Sequence, residues 1–106
     1  MRNMAYKLII TQAAHNDLDE ALDYIANRLA NPSAAASLLT KIEECYAQLR
    51  DYPSLYELCH DLRLKNLGYR KVPIGNYVII YRPAEEEHTV YILRVFYGGR
   101  DYQKLI

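Results

Sequence analysis

The sequence predicts an α+β fold in the order β-αα-βββ, and three observations carry that prediction. Between Thr11 and Tyr52 apolar residues recur at the three- and four-residue steps of an amphipathic helix. An Asn31-Pro32 step divides this stretch into a helical hairpin. From Tyr69 onward the residues turn β-branched and aromatic, punctuated by Pro73, Gly75 and Gly98-Gly99, which is the pattern of short strands and turns. No repeat or linker interrupts the 106 residues, so residues 1–106 read as one domain.

Each element has its own signal. Tyr6 to Ile10 is a short apolar run that opens the sheet. Thr11 is the expected N-cap of the first helix, whose core face is Leu18, Leu22, Ile25 and Leu29. Asn31 caps the second helix with Pro32 in its first turn, and Ala35, Leu38, Leu39, Ile42, Tyr46 and Leu49 form its stripe. Residues 53–68 read as irregular, with a helical turn around Tyr56 to Leu62 and a loop closing at Gly68. Tyr69 to Val72 is a short strand ended by Pro73 and Gly75, Tyr77 to Arg82 a second, and Thr89 to Tyr97 the longest. Glu85-Glu86-Glu87 is the turn between the last two. Centred on Glu86, that turn pairs Val78 with Arg94 and Ile80 with Ile92. It would put Arg82 and Arg94 on one face and Tyr81 beside Tyr91 on the other, with a one-residue slip reversing the relation.

Composition narrows the function classes. With 51% hydrophobic and 25% charged residues the chain is an ordinary globular protein, which removes disordered and fibrous readings. No apolar run reaches the roughly 18–20 residues of a membrane span, and no signal-peptide pattern opens the sequence, so a cytoplasmic protein without a membrane partner is expected. Net charge is zero, but residues 1–59 hold five basic against eight acidic residues and residues 60–106 hold eight against five. This is too mild for a dedicated nucleic-acid binder, and places any polyanion site in the second half. Two cysteines make neither a disulfide framework nor a zinc site. Cys59-His60-Asp61 are consecutive and cannot converge on one point, and Glu85 to Glu87 are no metal cage without partners from elsewhere. No metal and no cofactor are expected. Eleven Tyr and no Trp, with seven Tyr at or beyond position 56, suit a half-exposed sheet.

The element order, Tyr77-Val-Ile-Ile-Tyr-Arg82 and Ile92-Leu-Arg-Val-Phe-Tyr-Gly-Gly-Arg-Asp101 together resemble the RelE/ParE superfamily of bacterial toxins from type II toxin–antitoxin modules. The resemblance spans essentially the whole chain. It implies a growth-inhibiting toxin held inactive by a cognate antitoxin, and one of two activities: ribosome-dependent mRNA cleavage in the RelE-like branch, or poisoning of DNA gyrase in the ParE-like branch. Aligning the paired tyrosines with Tyr77 and Tyr81 puts Val78 where RelE-like nucleases carry an Arg. Cleavage by 2′-hydroxyl attack needs cationic stabilisation and proton transfer, which Val cannot supply. Arg70 ahead of Pro73, Tyr-x-x-x-Tyr-Arg and Leu-Arg-Val are closer to the ParE branch. The resemblance therefore implies a non-enzymatic gyrase inhibitor. An endoribonuclease acting on ribosome-bound mRNA is the alternative, and a non-toxic antitoxin-binding remnant is the second.

Arg100 is the first functional candidate, because Gly98-Gly99 can turn the chain and carry its guanidinium to the sheet edge. Arg94 and Arg70 are cations on strands, and Tyr102 is the proton donor in the nuclease reading. Arg70 and Lys71 point to opposite sides of their strand, so at most one of them can share a face with Arg94.

Overall fold

The computed structural model describes residues 5–106. Strand β1 (Lys7–Ile10) leads into helix α1 (Gln12–Asp23), followed by a π-helical turn, Tyr24–Arg28, and helix α2 (Pro32–Asp51). A short helix α3 (Leu62–Asn66) precedes strands β2 (Arg70–Ile74), β3 (Tyr77–Ala84) and β4 (Thr89–Tyr97). The four strands form one sheet ordered β1-β4-β3-β2, with β1 parallel to β4 and the other pairs antiparallel. Among the described residues no helix is long and apolar enough to cross a membrane.

The helix ends are fixed by the residues expected to fix them. Thr11 Oγ accepts the Ala14 N–H at 3.1 Å, and Asn31 Oδ1 accepts the Ala34 N–H at 3.1 Å. The first helix departs from its stripe at the π-helical turn, whose wider winding shifts the helical phase. Leu29, expected in the core, is consequently 55% exposed, and Ala30 reverses the chain with φ 51°. Cys45 joins the α2 stripe, while Leu39 is only half-buried. The helical turn expected around Tyr56 to Leu62 lies later, at Leu62–Asn66, because Asp61 caps it by accepting the Leu64 N–H.

The two faces of the sheet are covered differently. Toward α1 and α2, Leu38, Ile42, Cys45, Tyr46 and Leu49 pack on Val72, Ile79, Tyr81, Val90, Ile92 and Val95. On the far face, Val78, Ile80 and Phe96 pack under Cys59 and Leu64, with Tyr69, Leu93, Tyr102 and Ile106 around them.

The prolines explain why two strands run longer than expected. Strand β2 continues through Pro73 because it is an edge strand. The Lys71 N–H points outward to the Glu57 carbonyl at 3.2 Å, so position 73, two residues on, also faces outward and its missing N–H costs no ladder bond. Strand β3 likewise runs through Pro83, past Tyr81 where its pairing with β2 ends.

The β3–β4 register differs from the one expected of a turn centred on Glu86. Ile80 pairs with Arg94 but Tyr81 pairs with Ile92, so Leu93 is an unpaired bulge residue. Val78 therefore faces Phe96 instead of Arg94, and Ile80 faces Arg94 instead of Ile92. Arg82, two residues from Ile80 on β3, does share the far face with Arg94. Tyr81 lies in the helix-side core opposite Ile92, whereas Tyr91 pairs with Arg82 on the far side. The symmetric hairpin failed because one extra residue in β4 lets both Leu93 and Arg94 stay on the far face.

Candidate functional site

The far face converges on one ring. Phe96 is 1% exposed, and three of the sequence candidates meet it. The Arg94 guanidinium carbon lies 4.5 Å from the ring centroid and that of Arg100 5.9 Å away. The Tyr102 ring stacks on it at 6.0 Å between centroids and 18° between planes.

Gly98 and Gly99 make this possible by their small size. Neither adopts a positive φ among the described residues. A Cβ on Gly98 would sit 3.1 Å from the Asn76 carbonyl oxygen, which already accepts the Gly98 N–H at 2.7 Å. A Cβ on Gly99 would meet the Tyr97 ring at 3.0 Å. The chain folds closely over the β2–β3 turn and returns across the far face as a 3₁₀ turn, Tyr102–Leu105.

The three arginine candidates are in different chemical situations. Arg94 Nε and Nη2 donate to the two Asp17 carboxylate oxygens at 2.7 and 3.0 Å, and Nη1 donates to the Leu105 carbonyl at 3.2 Å. The hydrogen bond to Asp17 raises its pKa further above the ordinary arginine value, against the opposing effect of desolvation. The same Asp17 accepts the Val95 N–H at 3.0 Å, so α1 seals the β4 edge beyond the end of β1. Thr11 continues that seal by donating its hydroxyl to the bulged Leu93 carbonyl at 2.8 Å. Arg94 is thus committed to holding the fold. Arg100 is exposed, and its side chain has no acceptor among the described residues. The Asp101 carboxylate beside it pairs instead with Lys104 at 3.3 Å.

Arg70 is separated from the other candidates. It pairs across the ladder with Tyr81, on the helix side, and donates to the Tyr56 carbonyl at 2.6 Å. Lys71, its neighbour, takes the place beside Arg94: both are register partners of Ile80, so Lys71, Ile80 and Arg94 form one row across three strands. Alternation along β2 predicted that only one of the two could do so.

A cavity of about 700 Å³ opens at the end of this face. Tyr56, Lys71, Val78, Tyr97, Gly98 and Tyr102 are among its lining residues. The Lys71 ammonium lies 3.9 Å from the Glu57 carboxylate. Burial raises the Tyr102 hydroxyl above its ordinary pKa of 10.0, so it stays protonated through neutral pH. Val78, which also lines the cavity, is 7% exposed and supplies no charge to it. The Cys59, His60 and Asp61 side chains diverge: Cys59 is buried, His60 lies 3.4 Å from Glu57, and Asp61 caps α3. Among the described residues no cluster of three or more His, Cys, Asp or Glu side chains could hold a metal ion.

A second opening of about 470 Å³ lies where the hairpin meets the sheet, lined by Tyr24, Ile25, Leu29, Asn76, Tyr77 and Tyr97. Tyr24, Leu29 and Tyr97 are each about half exposed there. The sequence reading missed this apolar surface because it assigned Leu29 to the core.

Residues 8–102 match the family model described as the ParE toxin of the type II toxin–antitoxin system, parDE. No curated protein matches the sequence. Among solved structures, the fold is similar to the chromosomal ParDE system from P. aeruginosa at 20% identity and TM-score 0.70, covering 88% of this chain and 96% of that one. It is similar to the RelBE2 complex from Mycobacterium tuberculosis at 23% identity and TM-score 0.62, covering 91% and 94%. The isolated E. coli RelE toxin matches at 13% identity and TM-score 0.62, covering 95% of each chain.

Proposed function

The chain belongs to the ParE toxin family of type II toxin–antitoxin systems, and from that premise we propose that it arrests growth by binding DNA gyrase in the cytoplasm and is neutralised by a cognate antitoxin. The observation that carries this reading is the chemistry of the far face. Val78 lies on Phe96 where a nuclease needs a cation, and Arg94 is consumed by Asp17. What remains is an exposed guanidinium on a folded-over segment, suited to docking against a protein and short of an acid–base set. In this reading Arg100 and Tyr102 contact the target, and Arg94 holds the segment that carries them.

Purified toxin is expected to inhibit gyrase supercoiling, and the antitoxin to relieve that inhibition. Unaffected supercoiling together with A-site cleavage of ribosome-bound mRNA would replace this reading with the endoribonuclease one, which draws support from Lys71 and Tyr102 lining the same cavity.

The antitoxin is proposed to cover apolar surface, including the opening around Tyr24, Leu29 and Tyr97, and to bring a carboxylate to Arg100. Arg94 needs none, because Asp17 already supplies it with a carboxylate. Apolar area supplies most of the affinity, because exposed ion pairs contribute only about 0–1 kcal/mol each. Replacing Arg100 with Ala is therefore expected to abolish growth arrest while calorimetry shows antitoxin affinity reduced by less than about tenfold.

A further inference from the structure

The segment carrying Arg100 and Tyr102 has little of its own to hold it. Its 3₁₀ turn contains no buried residue. Apart from the bonding inside that short turn, its own backbone contributes the Arg100 N–H to the Tyr97 carbonyl at 3.0 Å and the Lys104 N–H to the Asp101 carbonyl at 3.3 Å. Tyr102 and Ile106 are only partly buried against the far-face cluster. Such a segment frays unless something outside it fixes its backbone.

Arg63 is placed to do so. Its Nη2 donates to the main-chain oxygens of Gln103 and Ile106, each at 2.8 Å. One guanidinium nitrogen carries two hydrogens, and here each has its own acceptor; an ammonium can also donate to two oxygens, but from a more flexible stem and without the planar guanidinium that fixes the two directions. The post is rigid. Its neighbour Leu64 is fully buried, Asp61 caps its helix, and the Cys59 N–H is tied to the Tyr69 carbonyl at 2.9 Å. With Arg94 bound to the Leu105 carbonyl, the two arginines grip the turn through its backbone, independently of its side chains.

We infer that Arg63 is a positioning residue for the toxic segment: by clamping residues 103–106 to α3 it holds Tyr102 on Phe96 and aims Arg100 outward. The inference rests on the reading that this segment meets the target. In this inference Arg63 acts without touching the target; it is exposed, and among the described residues its side chain makes no other hydrogen bond or ion pair.

The test measures the segment and the toxicity separately. In Arg63→Ala, trypsin cleavage after Lys104 in the native protein, followed by mass spectrometry, is expected to rise about tenfold, the consequence of losing two charge-assisted hydrogen bonds. Growth arrest is expected to be lost, while the melting temperature and antitoxin affinity stay close to those of the parent. Arg63→Lys is expected to recover part of both the protection and the arrest, and Leu62→Ala, on the exposed side of the same helix, to behave as the parent. Unchanged cleavage after Lys104 would overturn the clamp. Faster cleavage with growth arrest intact would overturn its role in toxicity. A large fall in melting temperature with loss of antitoxin binding would make Arg63 a stability residue only. If the parent protein leaves gyrase untouched, the gyrase reading fails, and the clamp is still judged on cleavage and growth arrest.

Discussion

The two faces of the sheet are built on opposite terms. The helix side is closed by two long helices whose apolar stripes interlock with β-branched strand residues. The far side is closed by a five-residue helix, an irregular loop and a folded-over segment, held in large part by guanidinium groups on carbonyls and one carboxylate. Burial is non-directional and cooperative, whereas arginine–carbonyl bonds are directional and can be released singly. The first face makes the protein fold. The second can carry function because its cover is a separable layer.

The largest effect should come from the helix side. Ile42→Ala empties a fully buried site at the centre of that core and is expected to cost about 2–5 kcal/mol by urea denaturation. A loss below about 1 kcal/mol would mean that the helix side is not the main source of stability. Asp17→Ala should follow at about 2 kcal/mol, because it strips Arg94 and the Val95 N–H of one shared acceptor. This change also couples the faces: α1 belongs to the helix side, yet its carboxylate fixes a far-side arginine. Growth arrest should weaken with it.

A gentler loss is expected in alkali. Burial raises Cys45 from 9.0 to about 11, and raises Tyr46 and Tyr81 from 10.0 to about 12. These groups fold in their neutral forms, so their contribution is complete below pH 9 and is lost as pH rises through 11 and 12. Urea midpoints measured from pH 8 to 12 should fall with a slope that Tyr81→Phe makes shallower. Tyr46→Phe should change stability at neutral pH by less than about 1 kcal/mol, because its buried hydroxyl has no hydrogen-bond partner among the described residues. Smallest of all is Arg100→Ala, expected within about 0.5 kcal/mol of the parent even though growth arrest disappears. A larger stability loss there would undo the separation of the two layers.

Features set by local chemistry were legible in the sequence. Thr11 and Asn31 announce their caps, and the run from Thr89 to Tyr97 matches β4 at both ends because the acidic turn Glu85–Glu87 precedes it and Gly98-Gly99 follows it. The α3 helix was misplaced although Asp61 offered the same kind of cap, since the neighbouring residues lack a helical stripe long enough to weigh. The π-helical turn and the bulge at Leu93 escaped because each inserts one residue into a period, which pattern reading averages away. Arg94 could be named as a candidate, but its partner Asp17 lies 77 positions earlier, and no local pattern joins them. Lys71 and Arg70 were separable by alternation alone, yet which one faces Arg94 depended on the register.

Removing a single residue inside a β-strand ordinarily turns everything beyond it inside out. In β4 there is one place where it would not. Tyr77 to Ile80 are matched with Tyr97 to Arg94, and Tyr81 to Ala84 with Ile92 to Thr89, which leaves Leu93 alone outside the pairing. Excising Leu93 would leave all eight pairs available and every remaining side chain on its present side, at the cost of one leucine's packing and the Thr11 hydroxyl's acceptor. The longest strand can therefore lose a residue there without exchanging its faces, and that is where toxins of this lineage should differ most readily in length.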